Sequence, residues 1–383
     1  LDSFIADLRV FQQYQSKAMY ELHHLIEVTW YRPKKGAHTM KNSNVIGIDL
    51  AKNVIQICTI SKEGELLSNK AISPTKLKEV LARAKPSIVA MEGCSGCNFW
   101  GRLAERHGHD VRIIGARKVK AFLQGQKTDA NDALAIAVAA SQVGMVFSQL
   151  KSEEQQIFQS IETSRKFLDK ERISLMNHMR AFIYEYGITS GKGEKNFKHL
   201  IVDVLDDLFP GLPSGLKEPL RIMWNRFCQT VEQLTDVEKQ RNALVKQSEP
   251  CQRLKELEGV GEVCSSMLYA NLGDRSSFKN GRQASAYIGV TPKQYSSGGK
   301  VTMRGINKVG GNKELRSALF QGAFAIIYKL PDEPKTLKQA WLKDLVQRVG
   351  VKRACIALAN KTVRTAWALL STGEHYKTTA IAR

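Results

Sequence analysis

The sequence predicts an α/β domain built on a mixed sheet, followed by a mainly helical remainder. Short apolar runs at residues 45–50 (VIGIDL), 53–60 (NVIQICTI) and 87–91 (SIVAM) have the length and β-branched content of strands. Helix-like segments separate the later runs, and from residue 142 onward apolar residues recur at helical rather than alternating spacing. With 383 residues and 43% hydrophobic content, the chain has material for two or three cores.

Taken in order, residues 45–50 form a strand that ends at the carboxylate of Asp49. A turn at 51–53 returns the chain along 53–60, and 65–72 supplies a third strand. Residues 75–84 read as a helix, 87–91 as a buried strand stopping before Glu92, 97–107 as a helix and 110–114 as another strand. Three strands followed by alternating helices and strands give a mixed sheet covered by helices. Residues 127–140 (KTDANDALAIAVAA) then open an alanine-rich helix. Residues 142–180 and 220–255 are two long helical arms, read as a hairpin or coiled coil that serves as spacer or dimerisation element. Between them, 187–196 (GITSGKGEKN) and 209–215 (FPGLPSG) read as loops. Residues 254–272 give helix, Gly-Val-Gly, helix, and 315–370 give basic amphipathic helices. The expected divisions are 1–39, 40–150, 151–253 and 254–375. The first is read as an extension upstream of a natural start at Met40, ending in a basic linker.

Charge is the strongest global signal. A net charge of +20 favours anionic partners, nucleic acid above all. No stretch approaches the roughly 20 uninterrupted apolar residues of a membrane span, and the first residues lack a basic secretory n-region. Seven scattered cysteines without framework spacing fit a reducing, cytoplasmic setting.

Asp129 and Asp132 are three residues apart at a helix start, hence on one face and about 5–6 Å apart at Cβ. Carboxylates that close repel, and a hard cation such as Mg²⁺ removes the conflict. The same pattern also fits a helix capped by Asp129, with Asp132 favouring its positive end. Asp49 and Glu92 both end apolar runs, and sites in open α/β sheets gather at that edge. Together the four acids make a cluster that is expensive without a metal. The glycines of the Gly-Val-Gly turn, Gly259 and Gly261, expose backbone N–H groups at a helix start, suited to phosphate, although a plain αα-turn has the same pattern. Further on, Ser296 and Ser297 precede Gly298 and Gly299 among Lys293, Lys300, Arg304 and Lys308. A serine there can approach a phosphate and act as a nucleophile if it loses its proton, but Ser-Gly pairs are also common turns.

Gly47-Ile48-Asp49, Met91-Glu92-Gly93 and Lys127-Thr128-Asp129-Ala130-Asn131-Asp132-Ala133 together resemble the DEDD transposases of the insertion-sequence-110 type, relatives of site-specific DNA invertases. The second half agrees, with the Gly-Val-Gly turn, Ile288-Gly289-Val290-Thr291-Pro292, Ser297-Gly298 and Lys308-Val309-Gly310-Gly311-Asn312. The resemblance implies a ribonuclease-H-like (RuvC-like) N-terminal domain in which Asp49, Glu92, Asp129 and Asp132 bind Mg²⁺, with Mn²⁺ as a substitute. It implies a C-terminal helix–hairpin–helix transposase domain whose serine, Ser297 by its position before Gly298, attacks DNA. Ser296 stays open as the alternative. It further implies DNA ends and target as substrates and a structured guide RNA encoded by the element. Bringing acids and serine together calls for a homo-oligomer, a dimer or tetramer. Two other readings stand beside it: a junction-resolvase-like nuclease in which water attacks, and a non-catalytic nucleic-acid-binding relative. GIDLAK at 47–52 also has the look of the phosphate loop of sugar kinases, whose further glycine motifs are absent. Cys94-x-x-Cys97 has no partner pair for zinc, and the five tryptophans are too dispersed for a stacking platform.

Overall fold

Strand β1 (Val45–Asp49) is the centre of a five-stranded sheet ordered β3-β2-β1-β4-β5. β2 (Ile55–Ile60) runs antiparallel to both β1 and β3 (Leu66–Ile72), while β4 (Ile88–Glu92) and β5 (Asp110–Ile114) lie parallel to β1. This is the mixed sheet that the sequence predicts. The computed structural model describes residues 43–206, 208–209, 212–273, 278–306 and 311–377. The extension expected over 1–39, and Lys308, lie outside the described residues. The chain divides into two compact units, one running to Glu153 and including Gln294–Arg304, the other formed by Glu154–Lys293 and the chain from Gly305.

Alternation along β1 splits its side chains between two cores. Ile46 and Ile48 join Ile55, Ile57, Val89 and Met91 on one face, under helices α1 (Pro74–Arg83) and α2 (Cys97–Arg106). Ser73 caps α1, its hydroxyl accepting from the Lys76 N–H, and Pro74 occupies the first turn, where a missing donor is harmless. On the opposite face Val45, Cys58, Ile60, Ala90 and Ile114 meet α4 (Asp129–Ser141), after a short α3 (Ala116–Val119). The alanines of α4 let it lie low on the sheet, and Ala133, Ala137, Ala139 and Ala140 are fully buried. Gly47 makes the approach closer still: a Cβ there would sit 2.4 Å from the Ala133 carbonyl oxygen and 2.7 Å from the Ala137 nitrogen.

In the second unit, α5 (Glu153–Tyr184), α6 (Glu194–Leu205) and α7 (Ser214–Gln247) share a core of Met179, Ile183, Phe197, Ile201, Leu220 and Phe227. The expected loops are therefore shorter than predicted. Residues 194–196 already belong to α6, and α7 begins at Ser214 rather than after Pro219. Pro219 removes one hydrogen bond from the second turn, and the helix continues because Leu220 and Phe227 bury completely on either side of the next turns. The helix–Gly-Val-Gly–helix appears as α8 (Glu249–Lys255) and α9 (Glu262–Leu272). These pack with α10 (Gly281–Ile288), α11 (Lys313–Tyr328) and α13 (Val351–Thr372) around Leu254, Leu268, Ile288, Leu315 and Val363, while α12 (Leu337–Val349) packs through Leu342. The Ser-Gly stretch forms a hairpin, β6 (Pro292–Ser297) and β7 (Lys300–Ile306).

Because backbone atoms of α4 face Gly47, the contact cannot be relieved by rotating a side chain. Gly47→Ala is expected to cost about 1–3 kcal/mol by overpacking, read as a lower denaturant midpoint by circular dichroism. An unchanged midpoint would show that α4 is free to move off β1.

Candidate metal centre and serine hairpin

Asp49 leaves the end of β1 half-buried, and α4 brings Asp129 and Asp132 to it in its first turn. One carboxylate oxygen from each lies within 4.8 Å of the other two. Thr128, not Asp129, caps α4: its hydroxyl accepts from the Asn131 N–H at 3.3 Å, and its carbonyl accepts from the Asp132 N–H at 2.9 Å. The Asp129 carboxylate is thus not consumed by capping. Glu92 ends β4 level with Asp49 on the neighbouring strand, since Met91 pairs with Ile48. It is not among the three converging carboxylates, but its charge reaches Asp49.

Burial and then the charges of Asp132, Asp129 and Glu92 push the Asp49 carboxyl above its ordinary range, with Lys127 opposing them. Acids held together at such cost form a ready set of hard oxygen donors for a divalent cation. Asp49, Asp129 and Asp132 are the residues that could hold it.

A polar relay holds the start of α4 in place, and sequence reasoning missed it. Gln56, opposite Asp49 on β2, donates through Nε2 to Asn69 Oδ1 at 2.7 Å. Asn69 Nδ2 donates in turn to the Ala130 carbonyl at 2.9 Å, between Asp129 and Asp132. Both residues sit on strands otherwise read for their apolar pattern, so the sequence signal was two amides within polar-facing positions.

Ser296 and Ser297 are exposed on β6 at the end of the hairpin. Gly298 and Gly299 have φ of +52° and +77°, the two left-handed positions of a tight hairpin turn. The Gly-Gly pair alone was the sequence signal for this hairpin, since its flanking strands are polar and exposed. Arg304 lies 5.8 Å from the Tyr295 ring centroid across the hairpin, Lys300 is exposed and Lys293 is half-buried.

The glycines of the Gly-Val-Gly turn separate in role. Gly259 has φ +77°, and a Cβ there would meet the Gly322 carbonyl oxygen at 2.8 Å, so it is required by packing against α11. Gly261 faces open space before α9, whose start has no side-chain cap. Of the Cys94–Cys97 pair, burial and then Cys97, Glu92 and Asp49 push the Cys94 thiol up to about 11, which makes it a poor nucleophile.

A mixed sheet with acids at the end of its central strand, an acidic helix start beside them and a helical second half match what the resemblance to DEDD transposases implies. The profile for DEDD transposases of the IS110 type matches residues 46–188, and that for Transposase IS116/IS110/IS902 family matches 251–339. The chain belongs to the IS116/IS110/IS902 family of transposases. It is 37% identical to the transposase for insertion sequence element IS1111A of Coxiella burnetii, over 90% of this chain and 94% of that one. It is 34% identical to the transposase for insertion sequence element IS1328 of Yersinia enterocolitica, over 87% of this chain and 98% of that one. A solved structure of T. thermophilus RuvC in complex with Holliday junction substrate matches 25% of this chain and 91% of its own, at 20% identity and a TM-score of 0.21, too slight a likeness to carry an argument.

Removal of one acid should have opposite effects with and without metal. Asp49 has a raised folded pKa, so its contribution to stability is complete below the unfolded value of about 3.9 and is lost as pH rises through the folded value. In EDTA at neutral pH, Asp49→Asn is expected to melt no lower than wild type, and its advantage should shrink on acidification. With Mg²⁺ or Mn²⁺ added, the wild type should gain stability and the variant should not. Asn69→Ala should keep all three acids yet weaken Mn²⁺ binding on the order of tenfold, measured by calorimetry. A metal-induced shift that survives Asp49→Asn would remove that residue from the set.

Proposed function

We propose that this chain cuts and rejoins DNA as the transposase of an insertion sequence, with Ser297 as nucleophile and Mg²⁺ held by Asp49, Asp129 and Asp132, Glu92 standing beside them. The convergence of three carboxylates at the end of β1 is the observation that carries this reading. Family membership supplies the reaction class, and the charge of +20 suits a polyanionic substrate.

A divalent cation in this site supplies charge neutralisation at the scissile phosphate and polarisation of a phosphoryl oxygen. The chain's own residues do the rest. Asn69 and Gln56 keep the start of α4, and with it Asp129 and Asp132, against Asp49. The exposed Ser297 hydroxyl, beside glycines that leave room for a phosphate, attacks phosphorus and forms a phosphoserine ester. The deoxyribose oxygen departs and takes up a proton. Attack on that ester by a free DNA hydroxyl reverses the exchange, so rejoining needs no outside energy source. Lys293, Lys300, Arg304 and Lys308, with the backbone at Gly261, position phosphates rather than read bases. A structured RNA from the same element would then choose the target by pairing, and a second copy of the chain would complete the assembly. The excess of cations over acids suits two nucleic-acid partners.

Covalent capture on element-end DNA, with the flanking RNA co-expressed, tests this reading. Wild type with Mg²⁺ should give a protein–DNA adduct that Ser297→Ala and Asp129→Asn both lose, with activity falling at least a hundredfold. Nicking without an adduct, surviving Ser297→Ala but not Asp129→Asn, would make the enzyme a nuclease that uses water. An adduct retained by Ser297→Ala would move the nucleophile, with Ser296 next to be replaced.

A further inference from the structure

A strip of cations crosses three helices of the second unit, starting beside the Gly-Val-Gly turn. Glu258 immediately precedes that turn and pairs with Lys338 of α12 at 3.1 Å. Lys338 Nζ also lies 5.6 Å from the Tyr376 ring centroid. One turn further along α12, Trp341 carries Lys361 of α13 over its ring, with Nζ 4.5 Å from the centroid. Arg364 follows Lys361 at a spacing of three, on the same face of α13. Arg364 in turn supports the start of α10: a Cβ on Gly281 would stand 3.1 Å from the Arg364 Cα, and Arg282 is the next residue.

Lys338 is neutralised by Glu258, but among the described residues neither Lys361 nor Arg364 has a carboxylate partner. Burial, then Lys338 and Arg364, push the Lys361 ammonium below its usual range. Burial and then Arg282 lower Arg364 in the same way. No acid counteracts either. Packing at Gly281 and the ring of Trp341 therefore hold like charges together against their repulsion, an arrangement that an anion would relieve.

We propose that Lys361, Arg364 and Arg282 form a binding site for the phosphodiester backbone of duplex DNA, bordered by the Glu258–Lys338 pair beside the Gly-Val-Gly turn. The inference rests on the reading of the chain as a DNA-acting enzyme and adds to it a surface remote in sequence from the acids and from Ser297. The aromatic rings of the strip point to a duplex rather than a single strand. Single-strand binders stack unpaired bases on open ring faces, whereas Lys361 covers Trp341 and Lys338 covers Tyr376. What the strip offers is spaced positive charge, which grips a backbone and is indifferent to sequence.

The test is fluorescence anisotropy of full-length protein on duplex DNA of several sequences in EDTA, where no cleavage interferes, over a range of salt concentrations. The double variant K361Q/R364Q should weaken binding equally on every sequence and lower the slope of log K against log salt by about 2. Restoring charge with Arg364→Lys in place of Arg364→Gln should recover about half of that loss of slope. Removal of repelling charges should leave the melting temperature at low salt unchanged or higher. Should the double variant melt lower, Arg282→Gln, exposed on the same strip, carries the test with a slope change of about 1. An unaltered slope with DNA binding intact would overturn the site alone. A loss confined to structured RNA would overturn the assignment to DNA. Failure of the wild type to bind any DNA would overturn both the site and the functional reading beneath it.

Discussion

The site depends on how closely α4 can approach β1. Asp49 is fixed by a strand and Asp132 by a helix, and two such elements ordinarily pack about 10 Å apart, as stacked layers do. Here the helix presents alanines and the strand presents Gly47, so backbone meets backbone. The first turn of the helix is thereby lowered to the level at which its acids reach the strand end. Had residue 47 carried a side chain, the carboxylates would stand apart and the cluster would lose its reason to exist.

Closeness of that kind has an electrostatic consequence. Burial first, and then the charges of Asp132, Asp129 and Glu92, raise the free energy of charging Asp49. The metal-free arrangement is therefore strained by its own charge, while the hydrophobic contacts of Ile136 and the alanines keep it from spreading. The Gln56–Asn69–Ala130 relay acts in the same direction, by anchoring the one turn of α4 that carries both acids. Stability and function pull against each other here, as they commonly do where a fold stores like charges for a ligand.

Much of this was legible in the sequence, and for identifiable reasons. β1 announced itself by a β-branched run closing on Asp49, and α4 by alanines following two acids at helical spacing. Neither Gly47 nor Thr128 was read correctly as a structural device, because a close approach and a cap are properties of partners that a linear pattern does not bring together. Glu92 was grouped with the other acids on the strength of its strand end. Register does set it level with Asp49, yet its carboxylate stays outside the converging three. The serine hairpin is hard to see in the sequence because its strands are polar and exposed and have no apolar alternation to betray them. The second arm starts six residues before the expected Leu220, and burial of Leu220 and Phe227 outweighs the hydrogen bond lost at Pro219.

The distribution of charge in this chain orders events at the site. A cluster of carboxylates repels a phosphodiester as surely as the rest of the molecule attracts one. Long-range attraction from an excess of 57 basic over 37 acidic residues can bring a nucleic acid to the surface. The last few ångströms, at Asp49, are unfavourable until a cation has reversed the local sign. Association with DNA and admission of a phosphate to the acids are then separable steps governed by different charges. The proposed basic strip on α10 and α13 belongs to the first of these steps, since its cations hold their sign whether or not a metal occupies the acids. On the proposed reading, the chain engages DNA broadly and still confines its chemistry to the acids once they hold a metal.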